Sequence, residues 1–107
     1  MVLKYLTPVA AVLILVSGGA ANSAEHVLTQ KAKKFDQKKM AIKKGDSIKF
    51  INSDSITHNI HSRSAPDKFD LGAQAPGTES KHTFDKAGKF KVRCAIHPKM
   101  KVTVKVN

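Results

Sequence analysis

The chain has one cysteine, Cys94, one tyrosine and no tryptophan. A lone thiol excludes an internal disulfide framework and any zinc site built from four thiolates. Acidic residues are scarce as well: 8 Asp and Glu stand against 19 Lys and Arg, a formal charge of +11. No apolar stripe recurs at helical spacing after Glu25, and internal repeats and low-complexity tracts are absent. The 107 residues leave room for one domain. So basic a balance would suggest nucleic acid as the partner of a cytosolic protein. The N-terminus points elsewhere.

Lys4 precedes an apolar run from Val9 to Val16, followed by the small residues Ser17-Gly18-Gly19-Ala20-Ala21-Asn22-Ser23-Ala24. Positive, then apolar, then small is the order of a secretory signal peptide. The apolar run is about half of what a ~30 Å hydrocarbon core requires. Residues 1–24 are therefore expected to be a cleaved signal, with no integral membrane span and no nucleic-acid partner. Cleavage after Ser23, with Ala21 three residues back, and cleavage after Ala24 both suit the sequence. The mature chain, residues 25–107, keeps 18 basic and 8 acidic residues, a charge of +10. So short a chain buries a small core, which favours a compact sandwich or a structural metal. An exported lone thiol is a liability unless it is buried, paired between chains or bound to metal.

Period-two alternation dominates the remainder. Val27 to Phe35 suggests an edge strand. Met40 and Ile42 lie before Gly45-Asp46, with Ile48, Phe50 and Asn52 after it, the pattern of a hairpin. Ile56, His58 and Ile60 continue the alternation. From Ser62 to Thr78 the pattern lapses amid prolines and glycines, which suggests a long connection. Thr83-Phe84 is a short strand candidate. Phe90, Val92 and Cys94 alternate with Lys89, Lys91 and Arg93; Val102, Val104 and Val106 alternate with Lys101, Thr103 and Lys105. Six or seven short strands predict an all-β protein, a small antiparallel sandwich or barrel. Outward lysines solubilise such a sheet and block edge pairing, or else they face an acidic partner.

The chemistry lies in Cys94-Ala95-Ile96-His97-Pro98-Lys99-Met100, where a thiol, an imidazole and a thioether recur at three-residue intervals. His58 lies upstream in Thr57-His58-Asn59-Ile60-His61. One Cys, two His and one Met are the donors of a mononuclear blue-copper centre. Each residue taken alone has a plainer reading. Cys94 could be a small core hydrophobe beside Phe90 and Val92, His97 an exposed loop residue, Met100 ordinary core and His58 a satisfied histidine on a sheet face. Together, four soft or borderline donors in an exported chain favour metal. Thioether sulfur is a poor zinc ligand. A catalytic Cys–His pair would need a third group to orient the histidine. No enzymatic activity is expected. His26, His61 and His82 stand outside the donor pattern and suit surface or hydrogen-bonding roles.

Four stretches resemble the cupredoxin, or blue copper, family, and most nearly its amicyanin-like and plastocyanin-like members. They are 44–52 around Gly45-Asp46, His58-Asn59-Ile60-His61, Gly88 to Cys94, and Cys94-x-x-His97-Pro98-x-Met100. The two-residue gap between His97 and Met100 is similar to that of amicyanin. The resemblance implies a Greek-key β-sandwich over 25–107 that holds one type 1 copper ion. His58, Cys94 and His97 would be equatorial ligands and Met100 the axial one. It also implies that Asn59 donates a backbone hydrogen bond toward the thiolate and tethers the two ligand loops. Many relatives have Thr or Ser after the Cys to receive the Asn side chain, where this chain has Ala95.

The function expected is that of a monomeric periplasmic carrier of single electrons, with His97 as the exit. Ala95, Ile96 and Pro98 would give an apolar contact, and Lys99 would attract an acidic redox partner such as a cytochrome or dehydrogenase. The alternative is a periplasmic copper-binding protein for storage, delivery or resistance. In a third reading the charge binds anionic lipid or cell-surface polymer.

Overall fold

A computed structural model describes residues 23–97 and 99–107. The expected signal peptide lies outside the described residues, apart from Ser23 and Ala24. The described chain is all β. Its strands are β1 (Glu25–Lys31), β2 (Lys34–Phe35), β3 (Lys39–Ile42), β4 (Ser47–Asn52), β5 (His58–Ser62), β6 (Phe69–Gln74), β7 (Glu79–Thr83), β8 (Gly88–Cys94) and β9 (Lys101–Val106). They form a first sheet in the order β2-β1-β4-β7 and a second in the order β3-β9-β8-β5-β6. No helix among the described residues is long and apolar enough to cross a membrane.

Alternation explains the layering. Each of β8 and β9 turns one face inward, so Phe90, Val92, Cys94, Val102, Val104 and Val106 are buried while Lys89, Lys91, Lys101 and Lys105 are exposed. Leu28, Ile48 and Phe50 close the core from the first sheet, together with Phe84 just beyond β7. Each such side chain contributes about 1.5–3 kcal/mol of burial.

The strands of the described residues differ from the sequence expectation in five respects. Both sheets are mixed: β1 runs parallel to β4, and β3 parallel to β9. The Gly45-Asp46 turn does not close a hairpin, because β3 and β4 belong to different sheets. Gly45 takes φ 95° there, Asp46 N–H donates to Lys43 O at 2.9 Å, and the chain crosses between layers. Val27 falls in β1, which is interior; β2 is the edge. The stretch from Ser62 to Thr78 contains β6, whose Phe69 and Leu71 pack against the core although half-exposed. Nine strands result, where six or seven were expected.

The β1–β2 hairpin was not legible as such. Its turn residues, Ala32 and Lys33, both have positive φ, 54° and 57°. That conformation ordinarily calls for Asn or Gly. Here the Asp54 carboxylate accepts both turn N–H groups at 2.9 Å.

Candidate metal centre

His58 opens β5 and Cys94 ends the neighbouring β8, with Ile60 paired to Cys94 in register. His97 and Met100 come from the β8–β9 loop. Met100 N–H donates to His97 O at 2.9 Å, and Cys94 N–H to Met100 O at 3.3 Å, which draws the loop tight. Cys94 Sγ lies 3.7 Å from His58 Nδ1 and 3.9 Å from His97 Nδ1. The three donor atoms all lie within 4.8 Å of one another. His58 is fully buried, Cys94 and Met100 nearly so, and His97 is half-exposed. The imidazole rings stand edge to face, with centroids 5.2 Å apart.

These separations fit a shared metal. Imidazole and thiolate ligands bind at roughly 2.0 and 2.3 Å, so two of them ~120° apart would be separated by ~3.7 Å. Two imidazole nitrogens and one soft sulfur are donors suited to copper.

The ligand orientations are held from behind. His58 Nε2 lies 2.8 Å from Asp54 Oδ2. A carboxylate there fixes the proton on Nε2 and leaves Nδ1 free to face the other donors. Asp54 is itself fixed: its N–H donates to Asn52 Oδ1 at 2.9 Å. Asn52 Nδ2 donates to Ile56 O and to Gln74 O, each at 2.9 Å. Gln30 Nε2 donates to Gln74 Oε1, and Gln74 Nε2 to Phe50 O, each at 2.7 Å. The Lys33 N–H first, then His58, hold the Asp54 carboxyl at about 2. Nothing in the sequence pattern marked Asp54. Its role depends on groups from β5 and from the β1–β2 turn, which meet only in the fold.

Asn59 performs one of its two expected tasks. Its N–H donates to Cys94 Sγ at 3.2 Å, placing a positive dipole end at the sulfur. Its side chain turns to Asp70 instead of residue 95, donating from Nδ2 at 3.2 Å. The two ligand loops are tied through the backbone, Ala95 N–H to Asn59 O at 3.2 Å. Ala95 thus replaces a side-chain tether with a main-chain one. The other histidines stand apart: His26 pairs with Asp46 and His82 with Asp67, each at 3.0 Å. His61 lies on the outer face of the second sheet, its Nδ1 buried without a partner among the described residues.

Similar proteins share this fold. A reduced amicyanin variant superimposes with a TM-score of 0.71 at 24% identity, covering 82% of this chain and 86% of that one. A purple cupredoxin from Nitrosopumilus maritimus gives 0.68 at 23% identity, covering 77% and 99%. The methylamine utilization protein MauL of Methylorubrum extorquens is 37% identical over 57 residues, 52% of this chain. The match spans about half the length of that relative, 50%. The sequence profile of the copper-binding proteins of the plastocyanin/azurin family matches residues 22–107. With the fold and the histidine–cysteine–histidine cluster in place, the chain belongs to the plastocyanin/azurin family of copper-binding proteins.

Proposed function

We propose that this protein is an exported, monomeric type 1 copper protein that carries single electrons in the periplasm after loss of residues 1–24. His58, Cys94 and His97 would hold one copper ion, with Met100 as the weak fourth ligand. Bound copper would supply the Cu(I)/Cu(II) couple. The observation that carries the proposal is the set of three donors at metal-ready separations, with only His97 reaching the surface.

The chain's own part is to hold this geometry still. Asp54 and Asn59 orient His58 and polarise the Cys94 sulfur from behind. His97 lies in a shallow groove of about 530 Å³ with Ile96, Met100, Lys33, Lys34 and Lys99. Ile96 is 54% exposed, an apolar contact beside the half-exposed imidazole. Lysines around it would steer an acidic cytochrome or dehydrogenase toward the site. The MauL relative is named for methylamine utilisation, which makes a dehydrogenase a natural partner to try first.

A Cu(II) titration followed in the visible tests the reading. One equivalent should produce an intense blue thiolate-to-copper band. Colourless Cu(I) binding without that band would favour copper storage or delivery, and no binding would refute both. The buried His58 and Cys94 favour the carrier, because a delivery site needs ligands that a recipient can reach.

A further inference from the structure

The outer faces of the two sheets place their cations differently. On the first sheet Lys49 lies 3.6 Å from both Glu25 and Glu79, and Lys81 lies 3.3 Å from Glu25. Its like-charged register pairs are Lys49 opposite Lys81, which those carboxylates neutralise, and Lys31 opposite Lys34 at the edge hairpin, where lysine blocks further pairing. The strands of the second sheet carry Lys39, Lys89, Lys91, Arg93, Lys101 and Lys105 against a single carboxylate, Asp70. Asp70 lies on the edge strand β6 and already accepts from Asn59 Nδ2 and Gly72 N–H. None of the six cations makes an ion pair among the described residues.

Register makes the arrangement costly. Lys89 stands opposite Lys105, and Arg93 opposite Lys101. Like charges directly opposite on antiparallel strands destabilise a sheet. Edge protection does not account for them, because β8 and β9 are interior strands. Two depressions shape the face. One, of about 390 Å³, lies among Lys39, Lys89 and Lys105; the other, of about 600 Å³, lies among His61, Arg63, Lys91 and Arg93 and reaches Cys94. The large exposed apolar side chains, Val27 and Ile96, lie on neither β8 nor β9, so the face has little to insert into a bilayer.

We infer that this face docks an acidic protein, whose carboxylates neutralise the cations of β3, β8 and β9 and lie against the groove at Cys94. The inference rests on the electron-carrier reading for the identity of the partner as a redox protein. It differs from that reading in placing the partner's main contact on the sheet instead of the His97 loop.

The test titrates the exported, isotope-labelled protein with cytochrome b5, an acidic haem protein, and separately with phosphatidylglycerol–phosphatidylcholine vesicles. Amide shifts should fall on β8 and β9 and vanish near ~1 M salt, where the Debye length is about 3 Å. The K101E/K105E variant converts two repulsive register pairs into attractive ones. It should bind about tenfold or more weakly while its urea midpoint holds or rises. K31E/K44E, with the same change in net charge at exposed lysines outside that face and outside the His97 groove, should bind nearly as wild type. A footprint on residues 96–100 or the first sheet, an equal loss in the control variant, or binding to vesicles alone would overturn the inference. Electron exchange is read separately from the haem spectrum. Docking at this face without exchange would sink the carrier reading and leave the docking face standing.

Discussion

The Asp54 carboxylate, 2.8 Å from His58 Nε2, joins a histidine of the candidate metal centre to the turn of a distant hairpin. One side chain both fixes the imidazole and satisfies two N–H groups in an otherwise unfavourable conformation. Asp54→Asn should therefore weaken copper binding by about 10–100-fold, the usual cost of losing such a support. Competition with a chelator measures it, with the urea midpoint of the metal-free variant recorded alongside. An affinity equal to wild type would show that Asp54 serves the turn alone.

Cys94→Ser should remove the blue band altogether, because the transition belongs to the thiolate. Met100→Gln should keep copper and lower the reduction potential, since a harder axial donor favours Cu(II). Visible spectra and protein-film voltammetry separate the two outcomes. A blue Cys94→Ser protein would mean that the ligand assignment is wrong.

Asp46 holds the start of β1 to the rest of the fold. It pairs with His26 at 3.0 Å, accepts from Lys43 N–H at 3.0 Å and, in the chain that still carries Ala24, accepts from Ala24 N–H at 2.9 Å. The His26 bond first, then those N–H groups, lower its pKa from 3.8 to about 2. A carboxyl lowered on folding stabilises the protein above its unfolded value and loses that contribution as pH falls. The difference between wild type and Asp46→Asn should be full at neutral pH and shrink between 3.8 and about 2. Urea midpoints at several pH values would show this, and a pH-independent difference would contradict it.

Gln74 lies at the hub of the polar network behind the site. Gln74→Ala leaves Gln30 Nε2 unpaired in the core and takes a donor from Phe50 O. The expected loss is about 1–3 kcal/mol, the cost of orphaned buried groups. Denaturant unfolding measures it. A change within error would mean that water replaces the amide.

Much of this was legible in the chain itself. Phe90, Val92 and Cys94, and Val102, Val104 and Val106, declared their strands because a half-buried strand must alternate. The donor quartet declared itself through rarity: the single Cys falls three residues before a His and six before a Met. What stayed hidden was pairing. A Gly-Asp turn has the same local chemistry whether it closes a hairpin or crosses between sheets, so residues 43–46 could not show which. Strand β6 lacked the signal of alternation because Gly72 interrupts it and Phe69 and Leu71 are only half-buried. Asp54 and Asp70 became visible only when the fold brought N–H groups to them.

The parallel ladders also set an order in time. Strand β3 lies against β9, with Lys39 paired to Thr103 and Ile42 to Val106, so an early segment waits for the last one. His58 likewise waits for Cys94, 36 residues later. Chains whose contacts join distant segments close late and slowly. A ribosome or secretion channel that releases this polypeptide from its N-terminus therefore releases an open chain until β9 emerges. The histidine–cysteine pocket comes into being at the final step, so the place where the last strand appears is the place where metal can first be taken up.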